Sequence, residues 1–381
     1  MKILLVSWSV LPSPGGSSVI VENLAKNFSS DELIVLGSRT MFQQNNIDRG
    51  AASPRFLYFF SELYFMGRGY RYFIWFRRWR FKPLINKIKS IIKEEGIDHV
   101  IGVYPNPFYC HAACLAAKEM KVPFSSYFHN TYIENVAITD PEAPKIQQEI
   151  FNQSEYIFVM SKGMQQFYEE KYQLNKFVPL VHTFNKYPDP STLTGLPSNG
   201  ATKLVAIGNF NESNMDATRR FALSIKDHSS YNLNLYTHVP SVLLQKRGLD
   251  AELYQHQGFV GPDEVHGKLQ DYDICVLTHG FTGGYGEVEY KTIFPTRTIP
   301  MLLSGKPIFA HSPPGSFLND FIKEHRCAEL VETADEQAVF DGLARLVENV
   351  DRQQELVAAA KETAKLFYGP NVVQQLKERL Q

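Results

Sequence analysis

The sequence predicts an α/β protein of two halves, each a parallel sheet covered by helices, facing each other across a cleft. Three observations predict it. Strand and helix patterns alternate through the first half of the chain, starting at Ile3. Residues 185–201 are rich in Pro, Ser, Thr and Gly and lack an apolar period, the composition of a linker. The alternation then restarts at Lys203, and 381 residues suit two domains of ordinary size. The boundaries read from this pattern are 1–185 for the first domain, 186–202 for the linker and 203–365 for the second domain. Residues 366–381 form a terminal helix expected to pack back on the first domain.

In the first half, strands are expected at 3–7, 32–36, 99–103, 124–128 and 156–160. Helices are expected at 17–27, at 84–95, where Ile85, Ile88, Ile91 and Ile92 recur at helical spacing, at 110–120, and from Lys162. In the second half, strands are expected at 203–207, 233–236, 257–260, 273–277 and 306–310. Helices are expected at 216–226, 262–270, 297–303, 336–349, 351–365 and 372–380. Folds of this kind bind ligands at the carboxyl ends of their strands.

Composition narrows the function. Hydrophobic residues make up 44% and charged residues 21%, as in a globular chain. No stretch approaches the roughly 20 apolar residues of a membrane span. The opening Met1–Val6 run is too short for a signal peptide and enters the turn Pro12–Gly16, so a cytoplasmic protein is expected. Cys110, Cys114, Cys275 and Cys327 lack metal-type spacing and read as buried thiols. A net charge of −1 argues against nucleic-acid binding. The balance is uneven, with 20 lysines and arginines against 16 acids through Phe184 and 19 against 24 beyond it. The first half is therefore the one expected to meet an anionic partner.

Two segments carry anion-binding chemistry. Pro14-Gly15-Gly16-Ser17-Ser18 joins the first strand to the first helix, and its glycines allow close backbone approach to a ligand. In Pro295-Thr296-Arg297, Thr296 is expected to cap a helix with Arg297 in its first turn. There amides, a hydroxyl and a guanidinium would converge on a diphosphate. A cation at a helix start opposes the dipole unless an anion is present.

Several segments, in order, resemble the GT-B glycosyltransferases, specifically the large retaining family 4, or group 1, with twin Rossmann-like domains. Lys203–Phe210, including Gly208 and Asn209, resembles the opening strand and turn of the donor domain, and Asn214–Ala217 resembles the helix start after it. Gly258-Phe259-Val260-Gly261 resembles the loop that holds the donor base. Asp271–Leu277 and Pro295–Ile308 resemble the next strand and the phosphate segment. In the first half, His129-Asn130 stands where many members have His-Asp. The resemblance spans the chain apart from about residues 40–82. It implies a nucleotide-sugar donor, UDP- or GDP-linked, a glycan or lipid-linked acceptor in bacterial surface polysaccharide or glycoconjugate synthesis, and no cofactor or metal. The sequence departs from the family in two places. The glutamates often found eight positions apart fall on Thr292 and Pro300, so Glu287 or Glu289 would have to serve. The Arg/Lys pair after the Gly208 turn is absent, with Arg219 and Arg220 farther along.

Catalytic candidates are His129, which ends a strand and could accept or donate a proton, Glu134 and Glu287. Asp271-Tyr272-Asp273 matches a metal-binding Asp-x-Asp pattern, but it straddles a helix end and a strand start, and no metal role is expected. Residues 58–82 interleave aromatic and basic side chains. On a helix Tyr72, Trp75 and Trp79 share one face and Arg78 another, an arrangement suited to a membrane headgroup region, to an acceptor, or to an aromatic core. Lipid contact would place the protein peripherally at the cytoplasmic face. Two other readings stay open. One is a sugar-nucleotide epimerase or phosphorylase on the same scaffold, and the other is a non-catalytic glycan- or membrane-binding subunit.

Overall fold

A computed structural model describes residues 1–11, 13, 16–39, 49, 53–60, 70–136, 138–187, 200–261, 264–282 and 287–381, with the side chains of 39, 60 and 70–78 also outside the description. The chain divides into two compact units, Met1–Asn185 with Tyr368–Gln381, and Lys186–Phe367.

The first unit is built on seven strands: β1 (Ile3–Ser7), β2 (Leu33–Arg39), β3 (Arg55–Phe60), β4 (His99–Tyr104), β5 (Phe124–Phe128), β6 (Ile157–Val159) and β7 (Phe177–Pro179). All pair in parallel in the order β3-β2-β1-β4-β5-β6-β7. Every residue of β1, β4 and β5 is buried, as expected for strands covered on both faces; β1 accordingly reads as an apolar run, whereas β5 buries Ser125 and Ser126 in hydrogen bonds with His99 and Ser154. The helix Pro107–Met120 starts where Asn106 Oδ1 accepts the amides of Phe108 and Tyr109. It ends at Lys121 in the left-handed region, with φ 57°. The terminal helix Gly369–Leu380 packs Val372, Val373 and Leu376 into the cluster that holds Val21 and Leu24 of the helix Gly16–Ala25. A Cβ on Gly369 would stand 2.4 Å from Asn27 Nδ2 and 2.5 Å from Asn185 Oδ1, so a larger residue there would displace that hydrogen-bonded asparagine pair.

The second unit has six parallel strands: β8 (Thr202–Ile207), β9 (Tyr231–Tyr236), β10 (Gln255–Gly258), β11 (Ile274–Thr278), β12 (Ile308–His311) and β13 (Glu329–Val331). Their order is β10-β9-β8-β11-β12-β13. Phe221, Leu235, Ile274 and Phe309 are among the side chains of its core.

The structure differs from the sequence reading in several elements. The helix expected at 84–95 runs from Tyr70 to Glu95, straight through Pro83. Proline inside a helix removes a backbone donor and usually marks a boundary. Strands β3, β7 and β13 and the helices Ala143–Gln153 and Phe317–His325 are additional. Strands β7 and β13 have three residues each, too few to show a period, whereas the two helices do carry an apolar face that the sequence reading missed.

Candidate functional site

In both sheets the strand order reverses once, at β1/β4 and at β8/β11, and a parallel sheet opens a crevice at the carboxyl ends of the strands flanking such a reversal. In the second unit those ends lead into Gly208-Asn209 and into His279-Gly280-Phe281-Thr282. Gly208 has φ 116°, a conformation that favours glycine, and both Gly208 and Asn209 are exposed. A Cβ on Gly208 would lie 3.4 Å from Cδ and from Nη1 of Arg297, at van der Waals contact, so the arginine runs directly past this turn.

Arg297 is the cation of this group. Its Nη2 donates to the Thr278 carbonyl at 2.7 Å. The residue is half-buried overall, but burial of the guanidinium pushes its pKa down to about 10. It therefore stays charged at neutral pH, and among the described residues no carboxylate pairs with it. A charge moved out of water without a counter-ion is costly, and an anionic ligand would offset that cost.

The loop after β11 is fastened to the start of the helix Met215–Ser224. Asp216 Oδ2 accepts the amides of Phe281 and Thr282 at 2.9 and 3.0 Å, and the Gly280 amide donates to the Ser213 carbonyl at 2.8 Å. A Cβ on Gly280 would stand 2.7 Å from Asp216 Oδ1 and 2.8 Å from Ser213 O. Thr218 and Thr278 hydroxyls meet at 2.7 Å, tying the same helix to β11. Arg220 lies 3.8 Å from Asp216, over the Phe281 ring, and 3.0 Å from His311 Nε2. His311 Nδ1 faces the Val331 carbonyl at 3.0 Å, so that nitrogen carries the proton and Nε2 accepts from Arg220. Burial, with the Arg220 charge beside it, holds His311 at about 4. His279 is likewise held at about 4 by burial.

The other donor-side candidates fall at varied places. Phe259 is 71% exposed, 6.5 Å from His238 between ring centroids, and Val260 is half-buried beside it. Thr296 does not cap the helix. The helix is Thr298–Leu303, and its N-cap position is Arg297 in helical conformation. The preceding turn is already wound, because the Thr298 amide donates to Pro295 O, and Thr296 is exposed. Glu287 projects into solvent, 80% exposed and 2.7 Å from Lys291, and no contact among the described residues joins it to Arg297. Gly16 is exposed as the first residue of its helix, and Gly15 lies outside the described residues. Asp273 Oδ2 accepts the Lys203 amide at 2.7 Å at the amino ends of β11 and β8, far along the strands from the Gly208 turn.

In the first unit, His129 follows β5 directly. Its amide donates to Tyr104 O, and its ring packs edge-on against Tyr127 at 4.3 Å. Both ring nitrogens are buried without a hydrogen-bond partner among the described residues, and burial, with nearby His182 adding to it, pushes the pKa well down. Glu134 is not a solvated carboxylate. It is 2% exposed and is held by Lys171 at 2.8 Å, Tyr168 at 3.3 Å, Tyr172 and Gln147. With its oxygens so occupied it anchors the turn after His129 and is not a free base. Trp79 is 71% exposed on its helix, whereas the side chains of Tyr72, Trp75 and Arg78 lie outside the description. Residues that sequence reasoning passed over are Asp216 and Gly280, which set the β11 loop, and His311 and His182. The signal for the first two was an acid in a first helical turn and a glycine just after a strand.

Solved structures align with this architecture over nearly the whole chain. HepE of Anabaena, in complex with UDP and glucose, matches with TM-score 0.71 and 14% identity, covering 100% of this chain and 99% of that one. The chain has the GT-B fold. Sucrose-phosphate synthase of Thermosynechococcus elongatus shares this GT-B architecture, with TM-score 0.70, 13% identity and coverage of 99% and 98%. So does the lipopolysaccharide outer core galactosyltransferase WaaB, with TM-score 0.66, 13% identity and coverage of 99% and 98%. No family model matches the chain, nor does any curated protein sequence. The two sheets of seven and six parallel strands are the twin Rossmann-like domains of GT-B.

Proposed function

We propose that this protein is a glycosyltransferase that takes a sugar from a nucleoside diphosphate-sugar, UDP- or GDP-linked. The observation that carries the reading is Arg297, a desolvated guanidinium without a carboxylate partner among the described residues, passing against Gly208 at the carboxyl ends of β8 and β11. The bound UDP of the HepE structure supports the nucleotide class. In transfer, the bond between the anomeric carbon and the β-phosphate oxygen breaks, and the acceptor oxygen bonds that carbon. Charge grows on the departing diphosphate, where Arg297 and the open Gly208-Asn209 backbone would stabilise it without a metal ion.

The acceptor is proposed to be a glycan or lipid-linked glycan of bacterial surface polysaccharide, a reading supported by the fold of WaaB and by the aromatic and basic stretch 58–82, in which Trp79 is exposed. The same stretch supports peripheral contact with the cytoplasmic face of the membrane.

The test is release of nucleoside diphosphate from UDP-glucose, UDP-galactose, UDP-N-acetylglucosamine and GDP-mannose, with and without a membrane glycan extract. Acceptor-dependent release supports transfer. Interconversion of the sugar with no acceptor present would instead support an epimerase, and binding without any turnover would leave a binding subunit.

A further inference from the structure

The loop after β11 is held by a charged group that the reading above does not use. Asp216 lies in the first turn of the helix Met215–Ser224, and its Oδ2 accepts the amides of Phe281 and Thr282. The Thr282 hydroxyl donates to the same oxygen at 3.3 Å. Asp216 Oδ1 is buried with no hydrogen-bond partner among the described residues. Two amides and a hydroxyl on one oxygen do not cancel a full negative charge, and a carboxylate without a counter-ion is costly away from water.

That charge shares its surroundings with Arg297. Arg297 Nη2 donates to the Thr278 carbonyl, and the Thr278 hydroxyl meets that of Thr218, which lies between Asp216 and Arg220 on their helix. His279, held low first by burial, also feels both charges: Arg297 lowers its pKa and Asp216 raises it. A diphosphate drawn to Arg297 is therefore opposed by Asp216 unless a second cation balances the carboxylate.

Arg220 is placed to be that cation. Its Nη2 stands 3.8 Å from Asp216 Oδ2, one helical turn away, and this is the ion pair that Asp216 makes among the described residues. Its Nη1 donates at 3.0 Å to His311 Nε2 at the end of β12, and its guanidinium carbon lies 4.8 Å from the centroid of the Phe281 ring. The Phe281 and His311 rings are themselves 4.6 Å apart between centroids. With 17% of its side chain exposed, Arg220 is tied to the protein at three points. A lysine, a point charge without a flat face, could meet Asp216 but not all three at once.

We propose that Arg220 is a positioning residue for the diphosphate site: it balances the charge of Asp216 and holds the loop 280–282 in place, without itself touching the ligand. The proposal deepens the glycosyl-transfer reading and rests on it for the ligand, whereas the hold on the loop stands on second-unit contacts alone.

The charge role is tested by titration calorimetry of UDP and GDP against wild type, Arg220→Gln, Arg220→Lys and the double variant Asp216→Asn with Arg220→Gln. Arg220→Gln should weaken binding of the nucleotide that binds by about 3- to 10-fold, the effect of one partly screened unit charge. Arg220→Lys keeps that charge and should stay within about twofold of wild type. The double variant should recover most of the loss, because the carboxylate is gone while the asparagine oxygen can still accept the two amides. A role in packing alone would give the opposite order, with the double variant weakest. Unchanged affinity in Arg220→Gln, an equal loss in Arg220→Lys, or no recovery in the double variant would overturn the charge role. Hydrogen exchange followed by NMR without ligand reads the loop. The Phe281 and Thr282 amides should exchange about 3- to 10-fold faster in Arg220→Gln, relative to the amides of β8, and equal exchange would overturn the hold on the loop. If the wild type binds neither nucleotide, the diphosphate reading fails by itself, and the exchange result still decides on Arg220.

Discussion

Gly208 and Arg297 lie directly against each other: a Cβ on Gly208 would stand 3.4 Å from both Cδ and Nη1 of Arg297, at van der Waals contact, so a branched side chain there would have to displace the arginine. The glycine also holds φ 116°, which a larger residue adopts only under strain. Gly208→Val should therefore destabilise the protein by about 1–3 kcal/mol. It should also weaken nucleoside diphosphate binding by more than the lost stability accounts for. Chemical denaturation and titration calorimetry on the same variant separate the two effects.

Gly280 and Asp216 set the β11 loop. Because Gly280→Ala would drive a methyl into the Ser213 carbonyl and the Asp216 carboxylate, it should cost about 1–3 kcal/mol. Asp216→Ala strips the acceptor from two loop amides, and its cost should be of similar size, about 1–3 kcal/mol. A double-mutant cycle in urea should show the two effects to be non-additive, since both act on one loop.

Glu134 gathers two tyrosines, a lysine and a glutamine around one buried carboxylate. Glu134→Ala should lower stability by about 1–3 kcal/mol by leaving those groups unmet. Glu134→Gln should recover part of it, because it keeps the shape. The loss should appear in the melting temperature with no nucleotide present.

The buried histidines give the fold an acid sensitivity of definite sign. His99, His279 and His311 are held at about 4 and His182 at about 3, burial being the first cause in each, against an ordinary value near 6.5. Between those values the unfolded chain binds protons that the native state refuses. Stability is thus complete above about pH 6.5 and falls as the pH drops toward 4, by up to about 1.4 kcal/mol per pH unit for each group. His99→Gln, which removes a ring 3.0 Å from the Ser125 hydroxyl, should flatten the pH dependence of the melting temperature between pH 6.5 and 4. A melting temperature constant over that range would contradict this account.

How much of this was legible in the sequence follows from the physics of each signal. Buried parallel strands are uninterrupted apolar runs, so Ile3–Ser7 and His99–Tyr104 were plain. The strand Phe177–Pro179, three residues long, was hidden. Pro83 masked the first half of its helix. Arg297 was recognisable by its place after Pro295-Thr296. Its true setting, turned inward against Gly208 and not capped by Thr296, depends on backbone winding that composition does not encode. His311 carried no local signal, because its meaning comes from Arg220, 91 positions away. Glu134 read as a loop acid because Tyr168 and Tyr172 approach it only in three dimensions.

The central claim is a diphosphate site at Arg297, and titration calorimetry of UDP and GDP against wild type and Arg297→Ala tests it most directly. The account predicts that one of the two binds and that the variant loses at least about tenfold in affinity, the weight of one charge-assisted contact. Binding of neither nucleotide to the wild type, or equal affinity in the variant, would contradict it.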